Sequence, residues 1–145
     1  MTPASFSRSW KASTQPRKQR KYGYAAPIHL RQRELQVHLF RDLRRKYGFR
    51  GLRVRTGDQV RVMRGQFSQK EGKVVEVDVK RTRIYVGGIE IIKKDGSKVP
   101  YPIHPSNLLL TELDLGDNRR KAKVNSKANP KVNSKQAKLK SEVNQ

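Results

Sequence analysis

From Gly57 onward the apolar positions recur every second residue: Val60 and Val62 between Gln59, Arg61 and Met63, Ile84 and Val86 around Tyr85, Ile89 before Ile91, and Val99 before Tyr101 and Ile103. Alternation of this kind predicts short strands, each with one buried face. Turn residues separate them at Arg64-Gly65, Lys70-Glu71-Gly72, Gly87-Gly88 and Asp95-Gly96. Val74 has the opposite parity to Val75, Val77 and Val79, so one regular strand cannot bury all four and a bulge or sharp bend is expected near Val74. Four or five such strands in this space predict a small, partly open β-barrel of the SH3-like kind, because a lone sheet would leave an apolar face wet.

Upstream the period differs. Leu35, Leu39, Leu43 and Tyr47 recur every four residues, with Arg41, Arg44, Arg45 and Lys46 on other faces and Gly48 behind the last turn. This predicts one helix over Glu34 to Tyr47, closed by a glycine able to take positive φ. Pro27 is suited to starting a preceding helical turn that carries His29, Arg31 and Arg33. The expected fold is therefore mainly β, a barrel preceded by a basic helical or extended arm and followed by a basic low-complexity tail.

Charge sharpens this division. The 145 residues hold 34 Lys and Arg against 12 Asp and Glu, a net charge of +22. Residues 1–55 carry 15 basic and 2 acidic side chains, residues 56–116 carry 10 and 8, and residues 117–145 carry 9 and 2. The expected organisation is a basic extended arm over 1–21, a helical basic segment over 22–55, a barrel over 56–116 and a tail over 117–145. Like charges at this density oppose compaction until a polyanion neutralises them, and nucleic acid is the leading candidate. A membrane surface is disfavoured because the tail's Ala122, Val124, Ala128, Val132 and Leu139 make no sustained apolar face. That tail also duplicates Lys-Val-Asn-Ser-Lys at 123–127 and 131–135, a low-complexity signature.

Six clusters have the chemistry of RNA contact, in which Arg and Lys neutralise phosphates, glycine permits close backbone approach and aromatic rings stack on unpaired bases. They are Arg17, Lys18, Arg20, Lys21 and Tyr22; His29, Arg31 and Arg33; Arg44, Arg45 and Lys46; Arg64, Gly65 and Lys70; Lys80, Arg81 and Arg83; and His104, Ser106 and Asn107. Tyr24, Tyr47 and Phe67 are further stacking candidates, although Phe67 also suits the end of a barrel.

Catalysis and cofactors find little support. With no Cys and only His29, His38 and His104, neither thiolate chemistry nor a metal spacing is present, and neither a Walker nor a dinucleotide glycine pattern occurs. Asp58, Glu71, Glu76 and Asp78, interleaved with Lys and Arg, read as surface cross-strand pairs and not as a magnesium site. The longest apolar run, Leu108 to Leu110, excludes a transmembrane helix within the sequence. No cofactor, metal, enzyme activity or homo-oligomer is expected.

The stretch Gly57-Asp58-Gln59-Val60-Arg61-Val62-Met63-Arg64-Gly65, followed by Gly72-Lys73-Val74 and Val77, resembles a KOW motif. Its context is Lys18-Gln19-Arg20-Lys21, Ala26-Pro27-Ile28-His29-Leu30-Arg31, Leu43 to Gly48, and Pro102-Ile103-His104-Pro105-Ser106-Asn107. In that order these resemble the archaeal and eukaryotic form of the universal large-subunit ribosomal protein family twenty-four, named twenty-six in eukaryotes. The resemblance covers roughly residues 16–120; Gln36-Val37-His38-Leu39 stands where that family usually has Ser-Ala-Pro-Leu. It implies a cytoplasmic ribosomal protein that binds large-subunit rRNA near its 5′ end, assists early subunit assembly, lies beside the polypeptide exit tunnel and touches neighbouring large-subunit proteins. Two rival readings are a KOW module of a transcription elongation factor and a nucleoid DNA binder.

Overall fold

The computed structural model of the protein describes residues 6–128. A 3-10 turn at Arg8–Ala12 leads into α1 (Pro16–Ala25), α2 (Ile28–Glu34), β1 (Gln36–Leu39), α3 (Arg41–Tyr47), β2 (Gly51–Arg53), β3 (Gln59–Val62) and β4 (Glu71–Asp78). Then come β5 (Arg83–Val86), β6 (Glu90–Ile92), β7 (Lys98–Pro100), a 3-10 turn at Pro105–Asn107, β8 (Leu108–Glu112) and α4 (Asn118–Ala128). Six strands form a mixed sheet in the order β2-β1-β8-β3-β4-β5, and β6 pairs with β7 as a separate hairpin. The core is mainly β.

The alternation read from the sequence sets the inner face of β3 and β5 but not of the β6–β7 hairpin, where Ile91, Ile92 and Val99 are all exposed because the hairpin pairs only with itself. Val60 and Val62 of β3, Ile84 and Val86 of β5, and Leu108 and Leu110 of β8 are buried in one cluster with Ile89 and Ile103. The β4–β5 register shifts between Val74 and Glu76, so that Val74 faces Val86 while Glu76 pairs with Tyr85. Val74 is buried and Val75 is 66% exposed: the bulge expected from the parity conflict turns Val75 out of the core.

Three expectations are corrected. The single helix over Glu34 to Tyr47 does not form, since β1 interrupts it and α3 starts only at Arg41. Leu35, Leu39, Leu43 and Tyr47 fit a four-residue period, but Val37 is buried with Leu39 while Gln36 and His38 are exposed, which is a two-residue period. Parallel pairing of His38 and Leu39 with Leu109 and Leu110, and antiparallel pairing of β1 with β2, decide between the two readings. The segment 22–55 thus adds two strands to the sheet. The end of α3 is as expected: Gly48 has φ 72°, and its N–H donates to the Arg44 carbonyl at 2.8 Å.

The second correction concerns the tail. Val124, one of the tail positions expected to make no sustained apolar face, is fully buried in the core cluster, and Arg120 is buried with it. They stand four residues apart and so share one face of α4. The second copy of the repeat, at 131–135, and Val132 and Leu139 lie outside the described residues. Thirdly, Asp58 is no surface pair. It is fully buried and accepts from both terminal nitrogens of Arg120, at 2.6 and 2.7 Å, from the Arg55 N–H at 2.8 Å and from the Asp114 N–H at 3.0 Å. Glu71 does pair across strands, with Arg61 opposite it.

Candidate nucleic-acid interface

The loop after β3 is tied down at its base. Gln69 N–H donates to the Val62 carbonyl at 2.8 Å, Val62 N–H to the Lys70 carbonyl at 2.9 Å, and Met63 N–H to the Asn107 carbonyl at 2.7 Å. At its tip Gly65 has φ 96°, and a Cβ built there would meet nothing within 4 Å, so glycine is required by backbone conformation and not by crowding. Phe67, a stacking candidate from sequence, turns inward instead: it is buried against Tyr101, ring centroids 5.1 Å apart, with Lys70 Nζ 5.2 Å from its ring. Burial of that ring anchors the loop.

A second tie brings two distant segments beside the loop. Ile84 and Ile103 exchange both backbone hydrogen bonds at 2.9 Å, and both side chains are buried. Their neighbours Arg83 and His104 therefore stand on the outer side of the same bridge. The following 3-10 turn is capped by His104, whose Nδ1 lies 2.8 Å from Ser106 Oγ and accepts from the Ser106 N–H at 3.3 Å.

Arg64, Gly65, Arg83, His104 and Asn107 consequently line one groove of about 210 Å³, together with Gln66, Tyr101 and Pro102. Two guanidinium groups, an imidazole, an amide and an exposed glycine backbone make a surface for a phosphate and the sugar or base edge beside it. Ser106 supports the His104 ring, and Lys70 leans on Phe67. Gln66, Tyr101 and Pro102 are not among the contact residues expected from sequence; for Tyr101 the alternation with Ile103 is the available signal, and for Pro102 its place beside His104.

A second surface lies at the β4–β5 turn, where Lys80 and Arg81 border a depression with Tyr24, Gly23 and Glu34. Tyr24 is 80% exposed. Arg31 shapes this corner: Nε donates to the Ala26 carbonyl at 2.9 Å, one terminal nitrogen to the Lys80 carbonyl at 3.0 Å and the other to the Tyr24 carbonyl. Its guanidinium ties the α1–α2 corner to the turn, leaving Lys80 and Tyr24 open to a ligand. Arg81 is paired with Asp78, whose carboxylate lies 4.0 Å from Nε and accepts from the Arg81 N–H at 3.0 Å, a pair within the turn and not across strands. Thr82 in the same turn has φ 55°.

The remaining candidates are spread over the helices. Arg17, Lys18, Arg20 and Lys21 are exposed on α1. The arm expected to be extended over 1–21 is helical from Pro16, the proline standing at the first helical position where its missing N–H costs nothing. Lys21 Nζ lies 4.9 Å from the Trp10 ring, and Tyr22 is half-buried against Phe6 at 5.2 Å. His29 is exposed on α2, as is Arg33, which belongs to a different groove beside α4. On α3, Arg44 Nε donates to the Leu39 carbonyl at 2.5 Å, while Arg45 and Lys46 are exposed. Tyr47 is buried in the core, so among the stacking candidates Tyr24 is open, Tyr22 half open, and Tyr47 and Phe67 are closed.

Among the described residues no group of three His, Asp or Glu side chains is placed to hold a metal ion, and no helix is long and apolar enough to cross a membrane. The constellation is cationic, with aromatic groups and glycine at its edges.

Comparison with known proteins agrees with this chemistry. Residues 13–127 match the family model that describes the ribosomal proteins L26 of eukaryotes and L24 of archaea. The large ribosomal subunit protein uL24 of Methanosphaera stadtmanae is 50% identical over 115 residues, covering 79% of this chain and 98% of that protein. The protein of the same name from Methanothrix thermoacetophila is 49% identical over 108 residues, covering 74% and 93%. With the match spanning most of the chain, including all eight strands and the groove between them, the protein belongs to the ribosomal protein family of eukaryotic L26 and archaeal L24.

Proposed function

We propose that this protein is a structural constituent of the large ribosomal subunit in the cytoplasm and binds large-subunit rRNA near its 5′ end, with its sheet acting as a KOW-type, SH3-like barrel. It joins the subunit early in assembly, beside the polypeptide exit tunnel, where neighbouring large-subunit proteins flank it. The observation that carries the rRNA reading is the convergence of Arg64-Gly65, Arg83 and His104 to Asn107 in one groove, because these residues are as many as 43 positions apart and share no structural bond that would need them all to be polar. The basic stretches before and after the sheet supply sequence-independent affinity through phosphate neutralisation, whereas the groove identifies RNA shape.

Full-length protein is titrated, at fixed salt, with a transcript of the 5′ portion of large-subunit rRNA and with a scrambled transcript of equal length. The wild type prefers the first, and Arg64→Gln with Arg83→Gln reduces that preference while retaining most of the affinity for the scrambled RNA. Equal affinity of the wild type for both transcripts overturns the reading.

A further inference from the structure

A groove on the far side of the β1–β2 ribbon has no role so far. It lies between α2, β2 and α4, has a volume of about 460 Å³, and is lined by Arg33, Arg53, Arg55, Arg119, Arg120 and Lys123, with two glutamines and no acidic residue. Of these, Arg120 is neutralised by Asp58 beneath the groove, and its Nε is buried without an acceptor. Arg55 is paired with Asp117. Arg53 donates to Gln32 Oε1 at 2.8 Å, an uncharged partner. The side chains of Arg33, Arg119 and Lys123 make no hydrogen bond or ion pair among the described residues, so four cations share one concave surface without a carboxylate.

The helix geometry explains how they meet. Arg120 and Val124 face the core, which leaves Arg119 and Lys123, also four residues apart, side by side along the groove. Crowding like charges into a concavity raises its positive potential, and the buried Asp58–Arg120 pair and Val124 hold α4 in place against that repulsion. An arrangement that is unfavourable alone and held by the core is suited to a polyanion.

We infer that this groove is a second RNA-backbone site, in which Arg33, Arg53, Arg119 and Lys123 bind successive phosphates. The inference rests on the proposed RNA-binding function and adds to it residues from α4 and β2. Phosphodiester is favoured over an acidic protein segment because the wall is cationic and polar throughout, with Leu52 the one large apolar residue lining it, whereas protein interfaces have an apolar core.

The test uses the full chain with Arg33, Arg53, Arg119 and Lys123 all replaced by Gln, binding the same 5′ rRNA transcript across a salt series. At about 0.7 to 0.9 per phosphate contact, four contacts make the slope of log affinity against log salt about 3 units shallower than in the wild type, a difference of about eightfold in affinity for each doubling of salt. The slope is also measured on scrambled RNA, so a loss of sequence preference, which tells against the rRNA reading, is distinct from an unchanged slope, which overturns the groove. A second measurement needs no variant: lysine acetylation of the wild type with and without RNA. Lys123 becomes severalfold less reactive in the complex, while Lys94 of the protruding β6–β7 hairpin serves as reference. Equal reactivity of Lys123 free and bound overturns the inference, as does protection that arises only from a protein partner on assembled subunits.

Discussion

Replacing Asp58 by Asn removes one charge and almost no volume, at the point where three parts of the chain meet. The Asp58 carboxylate accepts two bonds from Arg120 on α4, one from the Arg55 N–H in its own turn and one from the Asp114 N–H after β8. An amide has one oxygen, so at least one of its two positions now presents N–H groups to donors. The Arg120 guanidinium, itself buried, then loses its counter-charge. Breaking a buried ion pair in this way costs about 3–5 kcal/mol, a large part of the roughly 5–15 kcal/mol that stabilises a typical domain. Urea unfolding of D58N, followed by far-UV circular dichroism, should show that loss. Arg120→Met strands the carboxylate and should cost a similar amount. The double variant should cost about 2 kcal/mol or more less than the sum of the two, because neither charge is then left alone. A loss under about 1 kcal/mol in D58N, the size typical of an exposed pair, or strict additivity in the double variant, would refute the assignment of this pair as the fastening of α4.

Three further outcomes follow from local geometry. A Cβ on Gly72 would lie 2.5 Å from the Gly87 carbonyl oxygen and 2.8 Å from Val86 Cγ1, so Gly72→Ala should destabilise by about 1–3 kcal/mol through separation of β4 from β5; an unchanged urea midpoint would show that the strands yield freely. Thr82, β-branched at φ 55°, is strained by about 1–2 kcal/mol, so Thr82→Gly should leave stability equal or higher despite the greater freedom of glycine in the unfolded chain, and a clear fall in melting temperature would contradict this. The Asp117 carboxyl is held below its ordinary value of 3.8, first by the hydrogen bond from Arg55 and then by the Arg119 N–H. A lowered folded-state value means that its contribution is present above the unfolded-state value and is lost as pH falls through the folded one. The start of α4 should therefore loosen only below about pH 4, with the Asp117 shift and α4 amide exchange followed by NMR, and loosening near neutral pH would tell against it.

Strands β3 and β5 were legible because each lies half-buried and therefore alternates in sequence, and even the β4 bulge was written in the parity of Val74 against Val75, Val77 and Val79. The strands β6 and β7 form where strands were expected but are exposed throughout, and β8, a continuous run of three leucines, carried no alternation to read. The left-handed Gly48, the helical turn after Pro27 and the concentration of positive charge are likewise local properties that need no knowledge of the fold. The residues between Glu34 and Tyr47 were ambiguous because Leu35 and Leu39 satisfy a period of four while Val37 and Leu39 satisfy a period of two. Only the presence of Leu109 and Leu110 of β8 alongside, about 70 residues later in the chain, makes the extended form the one that buries both residues and pairs the backbone.

The candidate site divides along the same line. That Arg64, Arg83 and His104 suit RNA is a matter of residue chemistry, which sequence carries. Their meeting depends on the Ile84–Ile103 bridge, a long-range hydrogen-bond pair with no sequence mark of its own. Partners were equally invisible: Phe67 and Tyr47 have the composition of stacking platforms, but the core claims their rings, and Arg31 is occupied by three backbone carbonyls. Asp58 and Arg120, 62 residues apart, look like ordinary surface charges until folding removes water from both. Sequence by itself determined the alternation of β3 and β5, the turns at Arg64-Gly65, Gly87-Gly88 and Asp95-Gly96, and the excess of positive charge, because those depend on neighbouring residues, whereas the turn expected at Lys70-Glu71-Gly72 is the start of β4. The tertiary structure decided which charges are buried, which rings are free and where cations converge, because burial and pairing depend on residues that are neighbours only in the folded chain.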